Sequence, residues 1–254
     1  MPTAMKFATF GLSDKGKIYT ENQDYFLIDD HHGIYAVADG IGGLPHGAVA
    51  SQRAIQTFHA ELLHTEKDYF AVAAGTPPMP ALHQLFGKVN QAVYDIGFRM
   101  QPVSGIGTTL TVVKVLEGQC AIGHIGDSAV FLIRDKHCVQ WTTDHTMAQE
   151  LRAGISHGTE LRNIPESYTH ALTRCIGQEK KILIEAQLQP VQRHDWMLLC
   201  SDGITRALEP EELSRQADLA ATPQAYVRSL ISEANRRGGR DNATAIALFF
   251  ESVT

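Results

Sequence analysis

Four aspartates stand next to strongly apolar segments of this 254-residue chain. Asp39 and Asp202 each follow an apolar segment and precede a glycine, Asp241 comes just before another, and Asp24 borders a fourth. A carboxylate partly removed from water is costly unless a cation or hydrogen-bond donors compensate its charge. A cluster of such carboxylates without nearby arginine or lysine implies a metal site. Asp-Gly is also a common turn, and for each single instance that interpretation stays open.

Ligands that are all oxygen atoms suit hard cations such as Mg²⁺ or Mn²⁺. The chain has no His-Glu-x-x-His motif and no cysteine-rich arrangement, which argues against zinc. Two hard cations roughly 3.5–4 Å apart can hold a bridging hydroxide as nucleophile and neutralise an attacked phosphoryl group. The carboxylates therefore predict a binuclear metal hydrolase.

Strands and helices must position these side chains. Hydrophobic periodicity predicts a buried strand over 33–38, an amphipathic helix over 46–64 and a second helix whose apolar stripe runs from Leu82 to Ile96. Four consecutive antiparallel strands are then expected to form a meander, over 108–116, 119–125, 129–134 and 138–141. The two successive helices suggest a helical layer over a sheet.

The second half of the chain repeats this alternation. The expected elements are a short helix over 144–154, a strand near 184–188, a buried strand over 196–200, a short helix over 210–217, a helix that Thr222 caps, and a last strand over 243–250. The segment 155–170 is polar and follows neither period, so it is interpreted as a flap.

Composition excludes several classes of protein. The 22 Lys and Arg residues against 28 Asp and Glu residues leave a formal net charge of −6, which argues against a broad nucleic-acid-binding face. The apolar runs are too short for a membrane span, and the N-terminus lacks the pattern of a secretory signal, so a cytoplasmic location is expected. The four cysteines lie far apart and are expected to be free thiols.

Several short motifs occur in the order and spacing of the metal-dependent serine/threonine protein phosphatases of the type 2C class, and the chain resembles their compact bacterial form. They are TENQD at 20–24, VADGIGG at 37–43, GTTL at 107–110, GDS at 126–128, TDHT at 143–146, LTR at 172–174, CSDG at 200–203 and RDNAT at 240–244. The resemblance implies one catalytic domain over 1–254, with an α+β fold in which a central antiparallel β-sandwich is flanked by helices on both sides.

The resemblance also implies roles for individual residues. Asp39 would bridge two core Mn²⁺ or Mg²⁺ ions, with the carbonyl of Gly40 as a further ligand, and Asp202 and Asp241 would complete the core site. Asp24 would hold a water bound to a metal. A possible third, weaker ion would be held by Asp127 together with Asp202.

The implied activity is hydrolysis of phosphoserine and phosphothreonine in proteins by a hydroxide that bridges the two ions. The expected partners are phosphorylated proteins and a cognate serine/threonine kinase, without nucleic acid or membrane, and the expected state is a monomer. The flap near His157 would contribute to substrate choice.

The chain departs from the family at Ala129, from which little follows, and at two positions that bear on the chemistry. Tyr19 stands where the family usually has an arginine that binds the substrate phosphate, and a tyrosine hydroxyl offers a weaker hydrogen bond than a guanidinium. Lys15, Lys17 and Arg53 could substitute for that arginine. Ile41 stands where eukaryotic relatives have a histidine proposed as general acid.

Other functions fit the sequence less well. Tyr19 motivates the main alternative, a phosphoprotein-binding module of the same fold with weak or no activity. The glycines at 40–43 do not continue into a dinucleotide-binding or P-loop pattern, and Ser128 and Ser201 lack the Gly-x-Ser-x-Gly motif of serine hydrolases.

Overall fold

Ten strands and six α-helices make up the part of the chain that the computed structural model describes, which is residues 6–41, 46–64, 69–70, 79–154 and 164–252. The strands are β1 Lys6–Asp14, β2 Asp24–Asp29, β3 Ile34–Asp39, β4 Leu110–Leu116, β5 Gln119–Ile125, β6 Ala129–Arg134, β7 His137–Gln140, β8 Glu185–Pro190, β9 Trp196–Cys200 and β10 Ala243–Ser252. The helices are α1 Gly47–Leu63, α2 Pro80–Met100, α3 Met147–Ala153, α4 Asp202–Thr205, α5 Pro210–Leu219 and α6 Pro223–Arg236.

The strands form two antiparallel five-stranded sheets. Their orders are β1-β10-β9-β6-β7 and β2-β3-β4-β5-β8. Alternate residues of β3 serve different layers: Tyr35 and Val37 pack between the sheets, whereas Ala36 and Ala38 pack against α1 and α2. This period of two is expected for a strand buried on both faces. On the far side, α5 and α6 pack on the other sheet. The four layers confirm the predicted β-sandwich flanked by helices.

The prediction of a four-stranded meander is wrong. β4 pairs with β5 and β6 pairs with β7, but β5 and β6 belong to different sheets. The chain crosses from one sheet to the other at Gly126, Asp127 and Ser128. A turn between two apolar strands looks the same in sequence whether the strands pair or stack, because both arrangements bury alternate residues.

Other elements follow the predictions closely. The two long helices, the strands at 119–125, 129–134 and 196–200 and the last strand are present, with small shifts at their ends. The α3 helix begins after Thr146, whose side chain accepts a hydrogen bond from the Gln149 amide, and Thr222 caps α6 in the same way. β1 and β2 had not been predicted as strands.

All four cysteines are free, as expected. No helix among the described residues is long and apolar enough to cross a membrane.

Candidate metal centre and substrate cleft

Asp24 and Asp39 lie opposite each other in the antiparallel register of β2 and β3. The Asp24 carboxylate is buried, and its Oδ2 accepts hydrogen bonds from Ser201 Oγ at 2.7 Å and from Thr244 Oγ1 at 2.6 Å. Ser201 follows β9 and Thr244 lies on β10, so both donors come from the other sheet. Asp24 therefore connects the two sheets at one end of the sandwich.

Gly40 allows the end of β3 to pass against the start of α1. A Cβ atom at this position would lie 2.4 Å from the carbonyl group of Gly47. Gly40 does not have a positive φ, so the glycine is required by close backbone approach and not by a left-handed turn. Asp39 itself is held by Thr109, whose Oγ1 lies 2.9 Å from the Asp39 amide nitrogen and whose own amide donates to the Asp39 carbonyl at 2.8 Å.

Asp202 and Asp241 are brought together by a second close approach. Asp202 is the first residue of α4, and Asp241 lies just before β10. A Cβ atom on Gly203 would lie 1.9 Å from the Asn242 carbonyl oxygen, so only glycine fits there. The Arg206 guanidinium contacts both carboxylates: Nη1 lies 2.7 Å from Asp241 Oδ2, and Nη2 contacts Asp202 Oδ2. The sequence argument takes the carboxylates to lack a nearby arginine, whereas the structure places Arg206 against two of them.

Asp127 lies on the segment that crosses between the sheets. Gly126 before it has a φ of +114°, which favours glycine. Burial, with a further contribution from Asp144, raises the pKa of Asp127 to about 6. Asp144 had not been assigned a role from the sequence.

Electrostatics shows that the five aspartates share one site. Burial is the largest cause of the raised pKa of Asp39, and repulsion by the other four carboxylates raises it further. The pKa of Asp202 is raised by burial and by Asp127, against the opposing effect of Arg206. Burial also raises the pKa of Asp24. The structure thus brings together the carboxylates that the sequence singled out, in a site where negative charge is strongly disfavoured.

Two carboxylate oxygens of this site have no partner. Asp24 Oδ1 and Asp202 Oδ1 are buried and accept no hydrogen bond. A buried carboxylate oxygen without a partner destabilises the folded state, because its lost contacts with water are not replaced. A hard divalent cation would provide both the missing ligand contact and the missing positive charge. The residues present therefore fit the two-ion site expected from the sequence.

The aspartates open onto a cleft of about 970 Å³. Asp39, Asp127, Asp202 and Asp241 line it, while Asp24 lies beneath. Tyr19 lines the same cleft and is 43% exposed. The flap position His157 lies outside the described residues, as does all of 155–163. The flap residues that are described include a short 3-10 helix over Glu166–Thr169 and His170, which also lines the cleft.

Asn242 organises the loop before β2, a role that sequence reasoning missed. Its Oδ1 accepts a hydrogen bond from the Gln23 amide at 2.8 Å, and its Nδ2 donates to the carbonyl oxygens of Lys15 and Glu21 at 2.9 and 3.2 Å. The motif that contains Asn242 was recognised, but nothing in one sequence shows where an amide side chain makes its hydrogen bonds.

A second cluster of possible metal ligands lies in the described part of the chain. Ligand atoms of His124, His145 and Glu185 lie within 4.8 Å of one another. His124 Nε2 must donate to the Thr143 carbonyl oxygen at 3.1 Å, and His145 Nδ1 must accept from the Gly126 amide at 3.1 Å. These hydrogen bonds give one ring nitrogen of each histidine a partner within the protein, and they hold the segment that leads into Asp127.

Both histidines are stable as neutral rings. They stack with ring centroids 4.9 Å apart. Burial lowers the pKa of His124 to about 3, and burial and the charge of Arg174 lower the pKa of His145 to about 4. The pair therefore adds no positive charge to the carboxylate site near neutral pH.

A protein phosphatase 2C family model matches residues 19–238. The chain belongs to the protein phosphatase 2C family. This confirms the resemblance seen in the motifs. Among members of the family, the serine/threonine phosphatase Stp of Listeria monocytogenes is 30% identical over 238 residues, which cover 92% of each chain.

Solved structures of the family agree with this fold. The phosphatase MsPP from Mycobacterium smegmatis, solved in complex with cacodylate, is 31% identical with a TM-score of 0.75, over 97% of this chain and 98% of that one. The catalytic domain of the phosphatase PstP, in complex with two manganese ions, is 28% identical with a TM-score of 0.79, over 99% of this chain and all of that one.

Proposed function

We propose that this protein phosphatase 2C family member hydrolyses phosphoserine and phosphothreonine in proteins with the help of Mn²⁺ or Mg²⁺. The relatives named serine/threonine phosphatase support the substrate class, and the manganese complex of PstP supports the cation. In this proposal Asp39, Asp202 and Asp241 hold two core ions, with the Gly40 carbonyl as a further ligand. Asp127 holds a possible third ion.

The observation that carries the proposal is the pair of orphaned oxygens, Asp24 Oδ1 and Asp202 Oδ1. A purely structural role would leave one oxygen of each of these buried carboxylates without a partner. Two divalent cations supply Lewis-acid stabilisation of phosphoryl oxygens and lower the pKa of water to near neutrality. Asp24 is fixed by Ser201 and Thr244, so its free oxygen keeps one direction toward the site.

The substrate would enter the cleft between Tyr19 and the described part of the flap. Tyr19 can offer one neutral hydrogen bond to a phosphate. Ile41 lines the cleft and has no proton to give to a leaving alkoxide. Substrate choice by the flap near His157 stays a proposal, as do a cognate kinase, a cytoplasmic location, a monomeric state and a single domain over 1–254.

The proposed activity is tested by the hydrolysis of a phosphothreonine peptide and of para-nitrophenyl phosphate. We expect turnover with Mn²⁺, none with excess EDTA, and a loss of about two orders of magnitude or more in Asp202→Asn, because the variant loses one of the charges that hold the cations. Asp218→Asn, on the exposed end of α5, is the matched control and should keep full activity.

The Tyr19 position favours one other function, that of a phosphoprotein-binding module with little activity. If calorimetry shows Mn²⁺ and phosphopeptide bound to the folded protein while no Mn²⁺-dependent hydrolysis is measured, the phosphatase proposal is wrong and the binding module replaces it.

A further inference from the structure

A charged side chain that replaces the family arginine would have to line the cleft, and none of the three expected substitutes does. Lys15 Nζ instead donates to the Tyr19 carbonyl oxygen at 3.3 Å. The Lys17 backbone amide is bonded to Gly239, and its side chain is exposed, as is that of Arg53 on α1. None of these three residues is among those that form the cleft wall.

Three other cations of the described chain do line the cleft: Arg174, Lys181 and Arg206. Arg174 lies 3.7 Å from Glu150, outside the carboxylate cluster. Lys181 lies on the exposed segment before β8. Arg206 is the one whose side chain is shown in contact with the carboxylates proposed to bind the ions.

The position of Arg206 follows from the short helix α4. It comes four residues after Asp202, a spacing that puts both side chains on one face of a helical turn. The side chain is 36% exposed. The guanidinium contacts Asp202 and Asp241, and the residue also lines the cleft and a second, smaller cavity beside it.

The Arg206 guanidinium has N–H donors that the two carboxylates do not use. Arginine carries five N–H donors in a planar fork that suits phosphate oxygens. The contacts with Asp202 and Asp241 use one donor on each Nη atom. The other N–H groups can bind a phosphoryl group that lies next to the same two carboxylates.

We propose that Arg206 binds the substrate phosphate and supplies the positive charge that is missing at Tyr19. This inference rests on the proposed function, because it places the phosphate beside the carboxylate site. When cations neutralise Asp202 and Asp241, the guanidinium is no longer needed to compensate them. Its charge is then available to the phosphate dianion, as a charge-assisted contact that a tyrosine hydroxyl cannot replace.

Binding of inorganic phosphate to the Mn²⁺-loaded protein tests the proposal by isothermal titration calorimetry. Arg206→Gln should weaken phosphate binding about 10- to 100-fold, and Arg206→Lys should weaken it less. Arg236→Gln is the control and should have no effect, since the exposed Arg236 side chain pairs with Glu233 on the same helix. If Arg174→Gln causes the loss and Arg206→Gln does not, the proposal is overturned.

Two further measurements separate phosphate binding from a structural role. The Mn²⁺ dissociation constant of Arg206→Gln should stay the same or improve, because the arginine competes with cations for the carboxylates. A loss of Mn²⁺ affinity as large as the loss of phosphate affinity would overturn the proposal. Adding Tyr19→Arg to Arg206→Gln should restore phosphate binding, since both arginines would serve one anion.

Failure of this inference can be told apart from failure of the proposed function. Mn²⁺-dependent hydrolysis in the wild type together with unchanged phosphate affinity in Arg206→Gln would leave the phosphatase in place and rule out the arginine. Phosphate binding that depends on Arg206 in a protein without turnover would support the arginine's role and contradict the phosphatase activity.

Discussion

Gly203 and Asn242 touch through their backbones: a Cβ atom on Gly203 would lie 1.9 Å from the Asn242 carbonyl oxygen. The contact joins the first turn of α4 to the start of β10. It places Asp202 beside Asp241, although the two lie far apart in the sequence.

Gly203→Ala should therefore damage both the fold and the site. The added methyl group must push α4 away from β10, at a cost of about 3 kcal/mol or more in the free energy of unfolding. The separation of Asp202 from Asp241 should also weaken Mn²⁺ binding. Urea denaturation and Mn²⁺ titration measure the two effects. Gly87→Ala is the control, because Gly87 is exposed on α2 and its added Cβ would meet no atom of another element within 4 Å, and it should stabilise the protein by about 0.5–1 kcal/mol. Equal stability of the two variants would contradict the steric argument.

Mn²⁺ should raise the melting temperature of the protein. Burial and mutual repulsion raise the pKa of Asp39 and of Asp202, so the cation-free site carries unfavourable charge that a bound ion removes. At a free concentration 100 times the dissociation constant, binding adds about 2.7 kcal/mol. For a chain of this size the melting temperature should rise by about 5–10 °C. Scanning calorimetry with Mn²⁺ and with EDTA measures the shift, and a shift of the same size in Asp202→Asn would show that the ion binds elsewhere.

The stability of the cation-free protein should depend on pH through Asp127. Burial, then repulsion by Asp144, raises the pKa of the folded-state carboxyl from 3.8 to about 6. The folded state thus binds more protons than the unfolded state between these values, and stability falls as the pH rises through this window. The Asp127→Asn variant lacks this carboxyl group, so its stability does not depend on pH through position 127. In EDTA, the variant should gain about 2 kcal/mol relative to wild type between pH 4.5 and pH 7.5. Asp218→Asn is the control in urea denaturation, and a relative stability of Asp127→Asn that does not change with pH would contradict the assignment.

Tyr19→Arg should lower KM more than it changes kcat. An arginine at this wall of the cleft adds a charge-assisted contact to the phosphate that is made before and during the reaction. The fall in KM for a phosphothreonine peptide should be about tenfold in the Arg206→Gln background and smaller in the wild type, where Arg206 already serves the phosphate. Tyr25→Arg, exposed on β2, is the control. A KM that stays the same in both backgrounds would mean that position 19 does not reach the substrate.

The clustering of the aspartates could be predicted because each one is a charged residue that stands next to an apolar segment. Asp39 and Asp202 follow strands that the apolar pattern identifies, and a buried acid needs a partner. The reason for the glycines could not be predicted, since the close approaches of Gly40 to Gly47 and of Gly203 to Asn242 involve segments distant in sequence. The Asp-Gly pattern suggests a local turn at each position. The glycine is needed instead because a distant part of the backbone packs against it.

The position of Arg206 and the pairing of the strands could not be predicted from one sequence, for a different reason. A charged residue in a helix is usually solvated, so one sequence does not distinguish Arg206 from Arg53 as a group that faces the site. The separation of β5 from β6 was missed because alternation predicts strands and not their partners. β1 was missed because nearly all its residues are half-buried, which blurs the contrast between its two faces.

The carboxylate site draws its side chains from both layers of the sandwich. Asp24 and Asp39 belong to β2 and β3, whereas Asp202 and Asp241 flank β9 and β10 in the other sheet. A bound ion would therefore act as a noncovalent cross-link between the sheets at that end. Loss of the ion would favour local opening there, with faster amide exchange and easier proteolysis at the start of β2 and β10. The cation would in this way stabilise one end of the sandwich against opening as well as take part in the chemistry.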